Sequence, residues 1–187
     1  MTESRPTRIA LFGGSFDPPH MGHVMAALWA FCQVPLDAVW VLPVDRHPYA
    51  DKSMTASWQQ RWRLVEAAFA PLPFVELRDD ERRNPTGTTF DLVSSLRAAH
   101  PHHHWFLITG SDTHADLENW YRGSELRQMV TPIAVPRGGC HGDGPALPAI
   151  SSSHVRSRLA AGHDCADLLP YPVGDMIASE GWYRAAP

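Results

Sequence analysis

The chain is short of the features that mark most specialised protein classes. It holds only three cysteines, Cys32, Cys140 and Cys165, far apart and without a Cys-x-x-Cys pair. That argues against a disulfide framework and against a zinc site built on thiolates. No apolar stretch approaches the roughly 18 residues of a membrane span, and the opening MTESRPTR lacks the apolar core of a signal peptide. No run of like charge is long enough to form a tail, and there is no repeat or low-complexity segment. A net charge of −4 argues against a nonspecific nucleic-acid binder, which is usually basic. These absences predict a soluble, cytoplasmic protein that engages neither membrane nor nucleic acid, and they carry no signal for an oligomeric state. At 187 residues, 44% of them hydrophobic, the chain is long enough to bury a sizeable core as one domain over residues 1–187.

Strand-like and helical runs alternate along that length. Ile9–Phe12 reads as a buried strand, followed by a helix from about Gly22 to Cys32. Val39–Val44 is a second strand, then a helix near Ser57–Phe69 in which Ser57 and Gln60 suit a capping box. Phe74–Leu77 is a short strand and Thr89–Ala99 a helix; His104–Thr109 and Pro132–Val135 are strands flanking a partly helical Glu118–Met129. Ser152–Ala161 reads as a helix stopped at Gly162, and Val173–Ser179 as one stopped by Gly181. The Gly- and Pro-rich stretch Arg137–Pro148 is a loop. Continuous apolar strands in a βαβα rhythm belong to a parallel sheet covered on both faces. The predicted fold is therefore a single Rossmann-like, doubly wound α/β domain. Its sheet has about five mainly parallel strands, with a helical C-terminal segment.

Residues 9–23, IALFGGSFDPPHMGH, carry the most chemistry. Gly13 and Gly14 break the first strand, and a glycine-rich strand-to-helix turn lets backbone N–H groups approach an anion closely. His20 and His23 follow at i, i+3, just where a helix begins, so that both imidazoles lie on one face and can point at one phosphate. Parallel sheets bind ligands at the carboxyl ends of their strands, which is where this turn falls. A site for the phosphates of a nucleotide is the consequence.

The segment GGSFDPPHMGH, together with Ile150-Ser151-Ser152-Ser153-His154-Val155-Arg156, resembles the nucleotidyltransferase superfamily that carries an HxGH motif and a distal ISSxxIR motif. Within it the chain most resembles the bacterial nicotinate-nucleotide adenylyltransferase family over nearly its whole length. The supporting stretches are Arg83-Asn84 with Gly87-Thr88-Thr89, then Phe106–Asp112 with Trp120-Tyr121, and the tail from Asp167 to Arg184. Asp45–Lys52 and Pro136–Gly139 depart from the family's usual Pro-Pro-His-Lys/Arg and Arg-Pro-Gly, and Thr88 stands where the family usually has Tyr. These departures bear on which substrate is used rather than on the reaction.

The resemblance implies transfer of the adenylyl group of ATP to nicotinate mononucleotide, giving nicotinate adenine dinucleotide and pyrophosphate. It implies that His20, His23 and Arg156 serve the phosphates as catalytic groups, with ordinary imidazole pKa values near 6.5 supplying a partly charged donor at neutral pH. Gly13, Gly14, Ser15, Phe16, Asp112, Ser152 and Ser153 would bind the nucleotide. Thr89, Trp120 and Tyr121 would hold the nicotinate ring and its carboxylate, and Lys52 or Arg46 the acceptor's phosphate. Magnesium is the implied cofactor, bound mainly through the ATP phosphates with no protein cage.

Plainer readings stand beside these. Gly13-Gly14 could be a mere turn, Ser151–Ser153 an ordinary helix start, Arg156 and Arg158 a solvated face, and Trp120 core packing. The run His100, His102, His103, His104 suits a surface turn entering a strand better than a metal site. Lys52-Ser53-Met54 is faintly similar to the lysine motif of class I aminoacyl-tRNA synthetases, but it comes too early in too short a chain. The alternatives to the nicotinate reading are a sister transferase, such as a pantetheine-phosphate adenylyltransferase or a cytidylyltransferase, and a noncatalytic nucleotide-binding regulator.

Overall fold

A computed structural model describes residues 7–46, 54–138 and 146–184. The elements run β1 (Arg8–Gly14), α1 (Met21–Gln33), β2 (Ala38–Pro43), α2 (Trp58–Phe69), β3 (Val75–Leu77) and α3 (Thr89–Ala99). They continue with β4 (His104–Gly110), α4 (Ser111–Ala115), α5 (Gly123–Met129), β5 (Thr131–Val135), α6 (Ser152–Ala160) and α7 (Tyr171–Glu180). The five strands form one sheet in the order β3-β2-β1-β4-β5, with every neighbouring pair parallel.

Because side chains alternate across a strand, each buried strand contributes to two cores at once. Ala10 and Phe12 of β1, Val39 and Val41 of β2 and Phe106 and Ile108 of β4 face α1, α2, α6 and α7, where Ala27, Leu64, Val155 and Val173 meet them. The alternate residues, Ile9 and Leu11, Trp40 and Leu42, and Trp105 and Leu107, face α3 and α5, against Val93, Leu96 and Leu126. The doubly wound, parallel reading holds, and all five strands are parallel rather than most.

The chain winds from β1 through β2 to β3, then returns to the other side of β1 for β4 and β5. The crossovers on either side of β1 therefore leave in opposite directions, and a crevice opens above the carboxyl ends of β1 and β4. That crevice is where the glycine turn arrives.

Local signals set most boundaries. Ser57 and Gln60 form the anticipated capping box: Gln60 N–H donates to Ser57 Oγ at 3.3 Å and Ser57 N–H to Gln60 Oε1 at 2.8 Å. Helix α7 starts at Tyr171, ahead of the anticipated Val173, because Pro172 fits the first turn, where its missing N–H has no intrahelical partner to lose. Glu118–Met129 divides into a 3₁₀ turn at Leu117–Asn119 and α5, separated at Arg122, whose φ of 53° ends helical continuity. One expectation needs correction. Gly13 and Gly14 do not break β1; they are its last two residues, paired with Leu42 and Pro43. The turn comes at Phe16, with a φ of 47°, and Gly14 is needed because a Cβ there would lie 3.1 Å from the Phe16 ring folded back over it.

Of the glycine-rich loop, residues 139–145 lie outside the described residues. Its ends are joined by Gly138 N–H to the Leu147 carbonyl and Leu147 N–H to the Pro136 carbonyl, both 2.8 Å. Among the described residues no helix is long and apolar enough to cross a membrane.

Leu64 is fully buried between α2 and the sheet. Leu64→Ala should lower the unfolding free energy by about 2–5 kcal/mol, read from the urea midpoint. A midpoint equal to that of the parent chain would contradict this packing.

Candidate active site

Two adjoining cavities occupy the crevice. The smaller, about 230 Å³, is lined by His20, Gly22, His23, Thr109, Arg137 and Trp120 among others. The larger, about 570 Å³, is lined by Gly13, Gly14, Ser15, Glu81, Thr88, Thr89, Trp120 and Tyr121 among others. Gly13, Ile108, Thr113 and Trp120 border both, so the two form one continuous site around the ends of β1 and β4.

The histidine pair is built by the start of α1. His20 is the N-cap residue, with extended φ and ψ, and His23 is the third helical residue. The His20 N–H donates to His23 Nδ1 at 3.1 Å. That bond fixes the His23 tautomer: its proton sits on Nε2, which is left as the donor. The two rings stack with centroids 3.7 Å apart, and His23 also packs edge-on against Phe16 at 4.9 Å. Gly22 makes the stack possible, since a Cβ there would lie 3.1 Å from the His20 ring. His20 is only 4% exposed, and its Nδ1 is buried with no hydrogen-bond partner among the described residues.

Electrostatics correct the expectation of a partly charged pair. Burial first, and then the Arg137 guanidinium, push His20 down to about 4. Burial, His20 and Arg137 hold His23 well below the ordinary imidazole value. Both rings are therefore neutral N–H donors at neutral pH. The sequence reading takes Arg137 only as part of the departing Pro136–Gly139 stretch and gives it no role in the site. Arg137 follows β5 by two residues, lines the smaller cavity and donates from Nη2 to the Ile150 carbonyl at 2.8 Å. The available signal was its place just past a strand's carboxyl end.

The other candidate residues fall into three groups. Gly13, Gly14 and Ser15 line the larger cavity with Thr89, Trp120 and Tyr121, so the phosphate turn and the acceptor residues do come together. Trp120 packs against the α3-side core and lines both cavities, so it serves as core and as cavity wall together. Tyr121 is 59% exposed at the rim. Phe16 lines neither cavity, its side chain being buried in the core. Arg156, Ser152 and Ser153 do not line either cavity. The Arg156 Nη1 donates to the Asp17 carbonyl at 2.6 Å, and the Ser152 hydroxyl to the Pro18 carbonyl at 2.9 Å. Ser153 lies within 3.5 Å of the Arg156 guanidinium. This trio braces the turn from beside the site. Arg46 is exposed beyond β2 and outside both cavity linings. Lys52 lies outside the described residues, as does the side chain of Asp112, whose backbone belongs to α4.

Thr88, in place of the family's usual Tyr, caps α3 by accepting the Asp91 N–H at 3.3 Å. The His-rich run behaves as a turn into β4, its His100 and His103 rings stacked 5.0 Å apart beside Trp40 and Trp105. Among the described residues no group of three or more His, Cys, Asp or Glu is arranged to hold a metal ion.

A doubly wound sheet whose switch-point crevice presents a phosphate turn, paired histidines and arginines defines a nucleotidyltransferase. Residues 11–158 match the cytidylyltransferase-like family model. Over 183 residues the chain is 38% identical to a "Probable nicotinate-nucleotide adenylyltransferase" of Anaeromyxobacter sp. (strain K), covering 94% of this chain and 96% of that protein. It is 34% identical over 188 residues to one of Geobacillus thermodenitrificans (strain NG80-2), covering 95% and 87%. The chain thus belongs to the nicotinate-nucleotide adenylyltransferase family among the cytidylyltransferase-like proteins. Its fold is shared by the Plasmodium falciparum nicotinic acid mononucleotide adenylyltransferase complexed with NaAD, with a TM-score of 0.81 at 23% identity, covering 95% of this chain and 97% of that one.

Glu81 is a second residue the sequence reading missed. It comes from a 3₁₀ turn at Asp80–Arg83, is buried against the larger cavity, and accepts from Asn84 Nδ2 at 2.9 Å. Burial, with smaller contributions from Asp45 and Asp80 and against the Asn84 hydrogen bond, raises its pKa from 4.5 to about 7. Between those values the folded protein keeps a proton that the unfolded chain has released. Stability from this group is therefore present at low pH and lost as pH rises through the window. Glu81→Gln should remove that loss, so its melting temperature should gain on the parent's between pH 5 and 8. Parallel melting curves against pH would show that Glu81 is not held protonated.

Proposed function

We propose that this protein transfers the adenylyl group of ATP to nicotinate mononucleotide, forming nicotinate adenine dinucleotide and releasing pyrophosphate. The observation that carries this reading is the continuous crevice. It sets the neutral His20–His23 stack and Arg137 beside a larger cavity walled by Thr89, Trp120 and Tyr121. The curated relatives described as nicotinate-nucleotide adenylyltransferases favour this acceptor and ATP over phosphopantetheine or CTP.

In the reaction an acceptor phosphate oxygen forms a bond to the α-phosphorus of ATP, and the bond from that phosphorus to the oxygen bridging to the β-phosphate breaks. No protein nucleophile is required, and catalysis rests on positioning and on stabilising negative charge as it spreads. The smaller cavity is the place for the transferring phosphates. His23 Nε2–H, its tautomer already set, is an N–H donor toward them, and His20 lines the same cavity beside it. Starting neutral is an advantage here, because the rings enter as fixed dipoles and the approaching phosphates raise their proton affinity. Arg137, in the cavity wall, and Arg156, anchored on the Asp17 carbonyl beside it, supply full charge. Gly14 and Ser15 line the approach, with Phe16 next in the turn a further backbone candidate, and Asp112 in the first turn of α4 is the candidate for the ribose.

The nicotinate ring belongs in the larger cavity against Trp120, its carboxylate near the backbone of Thr89 and Tyr121. Lys52 is the first candidate for the acceptor phosphate and Arg46 the second. The donor set suits magnesium that arrives on ATP rather than in a protein cage. When bound, it neutralises charge on the phosphates and on the leaving pyrophosphate. The reading places the enzyme in the cytoplasm, working on small molecules, as a single domain over residues 1–187.

Magnesium-dependent pyrophosphate release should be fast with ATP and nicotinate mononucleotide, and slow with nicotinamide mononucleotide, with phosphopantetheine or with CTP. Release with another pair would move the substrate assignment, and ATP binding without turnover on any acceptor would favour a regulator. His20→Ala should lower kcat by about 10²–10³, the usual cost of one donor aimed at developing charge, while the far-ultraviolet circular dichroism stays unchanged. Near-parental turnover in that variant would remove His20 from the mechanism.

A further inference from the structure

Asp17 gathers more hydrogen bonds than any role in nucleotide binding requires. Its side chain is 2% exposed. The carboxylate accepts from the backbone N–H of Thr55 at 2.6 Å and of Ala56 at 3.1 Å, and from the Tyr183 hydroxyl at 2.8 Å. Four separate pieces of chain thus meet at one residue: the phosphate turn, the approach to α2, α6 through Arg156 on the Asp17 main-chain carbonyl, and the residues after α7. Arg61, 1% exposed, completes the cluster by donating from Nη1 to the Ser15 carbonyl at 2.7 Å.

Tyr183 is the least expected member, 166 positions along the chain from Asp17. It is 9% exposed, and its φ of 64° lies in the left-handed region, which a residue with a Cβ rarely adopts. A tyrosine persists there only when its surroundings over-determine it. Here the determinants are burial in the core with α1, α2 and α7, and the hydroxyl's bond to Asp17.

The consequence appears at Arg156. Its Nη1 bonds the Asp17 main-chain carbonyl at 2.6 Å but stands 3.9 Å from the Asp17 carboxylate, beyond hydrogen-bond length. The ion pair between them is thus a long one, whereas an arginine drawn onto a carboxylate by direct hydrogen bonds is lost to an anionic ligand. Asp17 is held back because its oxygens are already engaged by Tyr183, Thr55 and Ala56.

We propose that Tyr183 is a positioning residue for ATP: its hydroxyl fixes the Asp17 carboxylate, which keeps the phosphate turn in place and leaves the Arg156 guanidinium available to the nucleotide phosphates. The inference rests on the proposed function for the identity of that ligand. It makes the last turn of the chain part of the nucleotide site, although Tyr183 touches no ligand.

The test is Tyr183→Phe, which removes one oxygen and keeps the packing. ATP affinity is measured by titration in the absence of acceptor, alongside turnover. Val173→Ala, which loosens α7 at a fully buried position away from Asp17, serves as a control of lowered stability. Tyr183→Phe should weaken ATP binding about tenfold, the scale of one hydrogen bond to a charged group, with the KM for the acceptor within about twofold. Val173→Ala should lower the melting temperature without moving ATP affinity. In an Arg156→Lys background, adding Tyr183→Phe should cost little more, because both changes act on one interaction. Unchanged ATP affinity in Tyr183→Phe, an equal loss in Val173→Ala, or full additivity with Arg156→Lys would each overturn the proposal. A parent chain that binds ATP but turns over no acceptor would instead count against the proposed function and leave the binding comparison intact.

Discussion

A parallel sheet must be buried on both faces, and this molecule is organised around that requirement. Its strands supply apolar side chains alternately to two cores, so each connection must carry a helix to one face or the other. Right-handed crossovers then leave β1 in one direction toward β2 and β3, and the chain returns past it to β4 and β5. The separation of those crossovers leaves space above β1 and β4 that no helix covers. Ligand-binding residues collect there because their strands and helix starts end there.

Within that space the protein sets its electrostatics before any ligand enters. Neutral, stacked histidines share the smaller cavity with the Arg137 guanidinium, whose charge helps keep them unprotonated. Positive charge that would repel itself in an empty site is thereby limited to arginines anchored on backbone carbonyls: Arg137 on Ile150, Arg156 on Asp17 and Arg61 on Ser15. Asp17, the one buried carboxylate in their midst, balances the two nearest. An incoming polyphosphate meets donors already oriented, and little reorganisation remains to be done on binding.

Much of this was legible one residue at a time. The alternation of apolar strands with helices, the capping box at Ser57 and Gln60, and the stops at Gly162 and Gly181 depend on near neighbours in sequence, and the structure has each of them. The spacing of His20 and His23 placed both on one face of α1, because three residues make nearly one helical turn. The charge state of that pair was not legible, since it follows from burial and from Arg137, more than a hundred positions away. Glu81 gave no signal either: its place against the larger cavity depends on how a 3₁₀ turn folds beside β2.

Sequence alone therefore determined the fold class, the order of its elements and the pairing of His20 with His23 on one helix face, because these follow from periodicity, caps and residue spacing. Tertiary structure decided which distant groups share one environment. It neutralised the histidines, anchored Ser152 and Arg156 on the carbonyls of the turn, and brought Tyr183 to Asp17. The physical reason is that desolvation and charge depend on what surrounds a group in space, and no local pattern in the chain records that.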